Sequence, residues 1–129
     1  MRRLSLSPMV VFCNTDQYIF FPATPWMTAE EAQLIRDGLE GRNLPASNNM
    51  TLAIGMQVCN DPGAPDAAVA LASSRTTDGL TYPVQPVSKV ATTGARQLVR
   101  FGYLAKNTTA SDTTVRFAWV VGSVEYERA

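Results

Sequence analysis

The sequence predicts a mainly β, antiparallel β-sandwich or jelly-roll-like single domain with one short helix. Apolar residues alternate with small or polar ones through Leu52–Val58 and Leu98–Ala105, the side-chain period of a strand. The stretch Thr113–Tyr126 continues as a long final strand. Eight prolines and eight glycines punctuate the chain at intervals that suit several short strands, the pattern of sandwiches and jelly rolls. No internal repeat and no low-complexity linker divides the chain, so residues 1–129 read as one domain, with residues 1–8 able to act as an N-terminal arm.

The elements follow in order. Met9–Cys13 and Gln17–Phe21 read as two short strands around Asn14-Thr15-Asp16, and Pro22 and Pro25 end that region. Thr28-Ala29-Glu30-Glu31 has the form of a capping box, and Ala32, Leu34, Ile35 and Leu39 fall near helical spacing. The favoured reading of Thr28–Leu39 is therefore a short helix closed by Gly38 and Gly41. The rival is an extended segment through Gln33–Leu39 that joins a sheet. In the strand that follows, Leu52, Ile54, Met56 and Val58 share one face, and Asn60-Asp61-Pro62-Gly63 stops it with turn chemistry. A further short strand is expected at Val69–Ser73, and Asp78-Gly79 is a turn signal. Val99, Phe101, Tyr103 and Ala105 share a face of the next strand. Lys106–Asp112 reads as a loop, and the strand from Leu98 is expected to pair with the strand from Thr113 as an antiparallel hairpin.

Composition bounds the function. At 129 residues the chain buries roughly two-thirds of its unfolded surface and needs no disulfide or metal to fold. The 11 basic and 11 acidic residues cancel, so the basic excess of a nucleic-acid binder is missing. No stretch approaches the roughly 18 apolar residues of a membrane span. No signal peptide is evident, so synthesis in the cytoplasm with reduced thiols is expected. Cys13 and Cys59 both sit in apolar runs and read as buried small hydrophobes; whether they pair is not set by their spacing. Charged residues are only 17% of the chain, which suits a surface partly covered by a partner.

The chain has no histidine, which removes the commonest general base, the commonest metal ligand and every Ser-His or Cys-His arrangement. Two cysteines cannot build an all-thiolate zinc site. Paired carboxylates remain for glycoside chemistry, with Asp61, Asp66, Asp78, Glu125 and Glu127 as candidates. The first three lie in turns, where Asp is common for local hydrogen bonding. No cofactor is expected. Trp26, Trp119, Tyr82 and Tyr103 are candidates for a sugar-stacking platform. Against that, Trp119 lies on an alternating apolar face and reads as core, and Trp26 reads as packing against the start of the helix.

The final strand is the anomaly. From Phe117 to Val124 it is apolar or small on both faces, with Val115, Phe117, Trp119 and Val121 on one and Ala118, Val120, Gly122, Val124 and Tyr126 on the other. A strand with one face in water should alternate with polar residues. Either the domain itself covers both faces or a partner covers the second.

The stretch Thr92–Tyr103, the Thr/Ser-rich loop after it and Ala118–Glu125 resemble the C-terminal hairpin of small virion proteins of tailed bacteriophages, and Met56–Pro62 with Pro65–Ala68 is similar in flavour. The likeness covers about the last 80 residues. It implies a β-sandwich capsid decoration or cement protein, made in the host cytoplasm and placed on the virion surface. Its partners would be the major capsid protein and further copies of itself. The interface residues expected on this reading are Arg2, Arg3, Phe117, Trp119, Val121, Val124 and Tyr126. The alternative is a carbohydrate- or receptor-binding module of a tail or fibre, which needs an exposed aromatic platform.

Overall fold

The computed structural model of the chain describes the backbone at residues 2–28, 32–44, 50–70, 75–76, 81–86, 90–91, 96–107 and 115–128. The strands are β1 (Arg2–Ser5), β2 (Met9–Cys13), β3 (Ile19–Pro22), β4 (Met27–Thr28), β5 (Ala32–Leu44) and β6 (Met50–Cys59). They continue with β7 (Val69–Ala70), β8 (Arg75–Thr76), β9 (Thr81–Pro86), β10 (Val90–Ala91), β11 (Leu98–Asn107) and β12 (Arg116–Arg128). They form two six-stranded antiparallel sheets.

Each sheet is built on two long central strands whose outer neighbours are split. In sheet A, β5 lies along β12 from Phe117↔Leu44 to Arg128↔Ala32. β1 and β2 must therefore share the other side of β12, opposite Ser123–Tyr126 and Arg116–Val120. β9 and β10 share the free side of β5. In sheet B, β6 runs along the whole of β11, β3 and β4 share the far side of β11, and β7 and β8 share the far side of β6. Counting each split pair as one column gives eight columns numbered along the chain, ordered 1-8-3-6 in sheet A and 2-7-4-5 in sheet B. That ordering is a jelly roll, the chain passing from one sheet to the other between successive columns at every step except that from β6 to β7.

The core lies between the sheets. Sheet A contributes Val11, Cys13, Leu39, Ala118, Val120 and Val124; sheet B contributes Met50, Leu52, Ile54, Met56, Val99, Phe101 and Tyr103. The large side chains come from sheet B, and β12 answers with small ones. Gly122 shows why: a Cβ there would stand 2.9 Å from Ile54 Cδ1, 3.2 Å from Tyr103 Cε1 and 2.9 Å from the Gly38 carbonyl. The space is taken by the Tyr103 ring, which is fully buried and whose hydroxyl donates to the Ser7 carbonyl at 2.9 Å. Burial raises the pKa of this phenol to about 12, partly offset by a hydrogen bond with the Gly122 backbone.

The N-terminal residues considered as an arm lie along the chain's own β12. Leu6–Pro8 then face Val121–Gly122, one residue too many, so the edge carries a bulge. There Leu6 N–H donates to the Gly122 carbonyl at 2.8 Å, Leu6 is buried, and Ser7 N–H reaches across to the Ala23 carbonyl at 3.3 Å.

Two expectations are corrected. In the segment expected as a helix, Thr28–Leu39, the described residues are extended: Thr28 ends β4, and Ala32–Leu39 belongs to β5; residues 29–31 lie outside the described ones. Gly38 and Gly41, read as helix stops, lie inside that strand. β5 is a central strand with partners on both sides, and this long-range pairing overrides the local capping pattern. Second, β11 and β12 are not a hairpin; they lie in opposite sheets, each paired to other strands. The two cysteines are free and buried.

A candidate docking face on the outside of sheet A

Register fixes which side chains stand together on the outer face of sheet A. Val120 and Ala118 point into the core with no exposure, so Phe117, Trp119, Val121 and Ser123 point out. β2 places Phe12 opposite Phe117 and Val10 opposite Trp119. The result is an apolar ladder in which Val10 (49% exposed), Phe12 (47%), Val115 (44%), Phe117 (42%) and Trp119 (39%) are open to solvent. These are five of the seven exposed large hydrophobic residues among those described, so exposure is concentrated rather than scattered, the condition under which an apolar patch signals a contact surface. The Phe12 and Phe117 rings lie 6.3 Å apart, and Phe12 meets Phe21 edge-on at 5.2 Å. Rings so held lose little side-chain freedom when a partner covers them.

Farther along β12 the same face changes character. Arg3, Ser5, Gly38, Glu40, Val121 and Ser123 line a shallow depression of about 210 Å³. It exists because Ser5, Ser123 and Gly38 stand abreast in register and carry small side chains or none.

The expected interface residues divide accordingly. Phe117 and Trp119 form the ladder, Val121 is half-buried between ladder and depression, and Arg3 is exposed at the depression's edge. Val124 lies on the core face and is fully buried; its place in β12, one residue off the outward series, is the physical reason. Tyr126 lies opposite Arg2 in register; the side chains of Arg2 and Tyr126 lie outside the described residues. Trp119, read as core, is outside. Val10 and Phe12 were missed, because Met9–Cys13 is apolar at every position and so does not mark its outward side; Val115 was placed on the face of Phe117 and Trp119 but not among the interface residues.

Of the acidic candidates, Glu125 on β12 lies opposite Arg3 in register. Asp61 accepts from the Gly63 N–H at 2.9 Å within its own turn, and Asp66 pairs with Arg96 at 2.8 Å, so both have local structural partners. Asp78 lies outside the described residues, as does the Glu127 side chain. Asn60 accepts from the Gln97 N–H at 3.0 Å. Among the described residues no group of three or more His, Cys, Asp or Glu is placed to hold a metal. The aromatic quartet is not assembled: Tyr103 is in the core, Trp119 is outside sheet A, and Trp26 lies under the Arg100 guanidinium at 4.3 Å on sheet B. The Tyr82 side chain lies outside the described residues.

The strand order and the open apolar face define a jelly-roll domain of the eight-column type. Solved structures with a similar fold come from infectious bursal disease virus. The structure of its Gt strain matches with a TM-score of 0.53 at 11% identity, over 99% of this chain and 38% of that chain. The Gx strain gives 0.49 at 10% identity over 95% and 30%, and the VP2 subviral particle gives 0.49 at 13% over 98% and 32%. The Gt-strain match shows a shared fold, and this chain spans about a third of the length of those chains. No protein-family model matches the sequence, and no curated protein matches it.

Proposed function

We propose that this chain is a non-catalytic virion structural protein of the capsid type, which associates with copies of itself through the outer face of sheet A. The observation that carries the proposal is the paired ladder Phe12–Phe117 and Val10–Trp119, left open by the domain's own two sheets. Jelly rolls serve as coat domains and as lectins, so the fold alone does not choose between them; the apolar ladder favours a protein partner. Covering it would release about 25 cal/mol for each Å² of apolar surface, before the entropy cost of association. The narrower form of the proposal is a decoration or cement protein that also contacts the major capsid protein of a phage head.

The test is light scattering with negative-stain electron microscopy on the purified chain from micromolar to millimolar concentration. Closed, symmetric oligomers are expected. A species that stays monomeric throughout would overturn the proposal.

Carbohydrate binding is the second reading, favoured by one observation: Trp119 presents its ring to solvent. A sugar site also needs convergent polar groups beside the ring. In register Trp119 has apolar Val10 on one side and Arg42 on the other, with apolar Phe117 and Val121 along its own strand, one polar neighbour where a sugar site brings several together. Oligosaccharides are therefore expected to leave Trp119 emission unchanged.

A further inference from the structure

The outer face of sheet A carries a projecting ring and a hollow on the same strand. Trp119 and Ser123 both point outward from β12, four residues apart, or about 13 Å at the rise of a strand. Val121 lies midway between them. The hollow is an open depression of about 210 Å³. Its floor is Gly38, Ser5 and Ser123, and its edges carry Arg3 and Glu40.

We propose that this hollow receives Trp119 from a second copy of the chain, in a twofold dimer whose axis passes over Val121. The inference rests on the self-association proposed above and names its mode. A twofold in the plane between two facing sheets, set across the strands at Val121, brings each Trp119 over the other copy's Ser123 and each Val10 over the other's Ser5. Every contact then occurs twice, as an isologous interface requires. The edges of the hollow match an indole. Its ring face attracts the Arg3 guanidinium, and its N–H, which needs an acceptor when buried, has the Glu40 carboxylate and the Ser5 and Ser123 hydroxyls within the same hollow. The axis also passes over Glu40, the β5 partner of Val121 in register, and faces the two copies' Glu40 carboxylates; this like-charge contact opposes the dimer, and added salt is expected to tighten association.

Filling the hollow separates this mode from any other use of the ladder. Ser123→Trp and Ser5→Phe place a ring in the hollow from an outward position, leaving Trp119 intact and the core untouched. Sedimentation velocity over a concentration series is read for both, for the wild type and for Trp119→Ala, with thermal unfolding to confirm the fold. The wild type is expected to dimerise. Each variant is expected to raise the dissociation constant roughly tenfold or more, the scale of a central interface tryptophan. If the wild type associates and both filled variants associate as well or better, the hollow is not the receptor, and self-association by another mode stands. A wild type that never associates overturns both.

Discussion

Tyr103 reaches from one sheet across the core to the N-terminal edge of the other, its hydroxyl 2.9 Å from the Ser7 carbonyl. This contact holds the bulge at Leu6–Pro8, and with it the alignment of β1 and β2 that places Val10 and Phe12 beside Trp119 and Phe117. Replacing Tyr103 by Phe leaves the Ser7 carbonyl without that donor and is expected to cost about 1–2 kcal/mol in urea unfolding. The same group sets an alkaline limit. Its pKa is raised from 10 to about 12 in the fold, burial being the main cause, so the unfolded chain loses this proton first. The stability it contributes is whole below pH 10 and is lost as pH rises toward 12. The urea midpoint should fall across that window in the wild type and more shallowly in Tyr103→Phe.

Gly122→Ala is expected to destabilise by roughly 1–3 kcal/mol, the range for overpacking a filled core. The added methyl meets Ile54, Tyr103 and the Gly38 carbonyl at 2.9–3.2 Å, and two of those contacts are stiff. Thermal unfolding checks this; an unchanged melting temperature would contradict the packing described.

On the outside of sheet B, Arg100 lies over Trp26 at 4.3 Å and Phe20 at 5.8 Å and donates to Gln57 Oε1 at 2.8 Å. Arg100→Ala should cost about 1–2 kcal/mol and shift Trp26 emission. Arg100→Lys should recover only part of it, because an ammonium neither stacks nor forks.

Cys13 and Cys59 are buried, and burial, followed by the Asp61 charge, raises the Cys59 pKa. Neither thiol should react with an aromatic disulfide reagent in the native chain, and both should react in denaturant. Rapid native reaction of either would contradict the core assignment.

The strands at Leu52–Val58 and Leu98–Ala105 were legible because each has one large apolar face, and that face is the core face. The final strand was legible as a strand but not in its orientation. Its place on an alternating apolar face put Trp119 inside; in fact Tyr103 and Ile54 fill the space, and Ala118, Val120 and Gly122 stand on the side of β12 that faces them. That match of volumes across the sheets is absent from either strand's own pattern. The same holds for Ala32–Leu39, whose local pattern is helical and whose strand state comes from β12 on one side and β9 and β10 on the other. The candidate face was half legible: two apolar sides on Phe117–Val124 were visible, while the contribution of Val10 and Phe12 needed the register.

The most direct test of the docking face is acrylamide quenching of Trp119 in a Trp26→Phe background, read against protein concentration. Quenching is predicted to fall severalfold as the chain associates and to stay high when Phe12→Ser and Phe117→Ser are added. Quenching that is the same in monomer and oligomer would mean that the ladder stays in water, and the account of this face would be wrong.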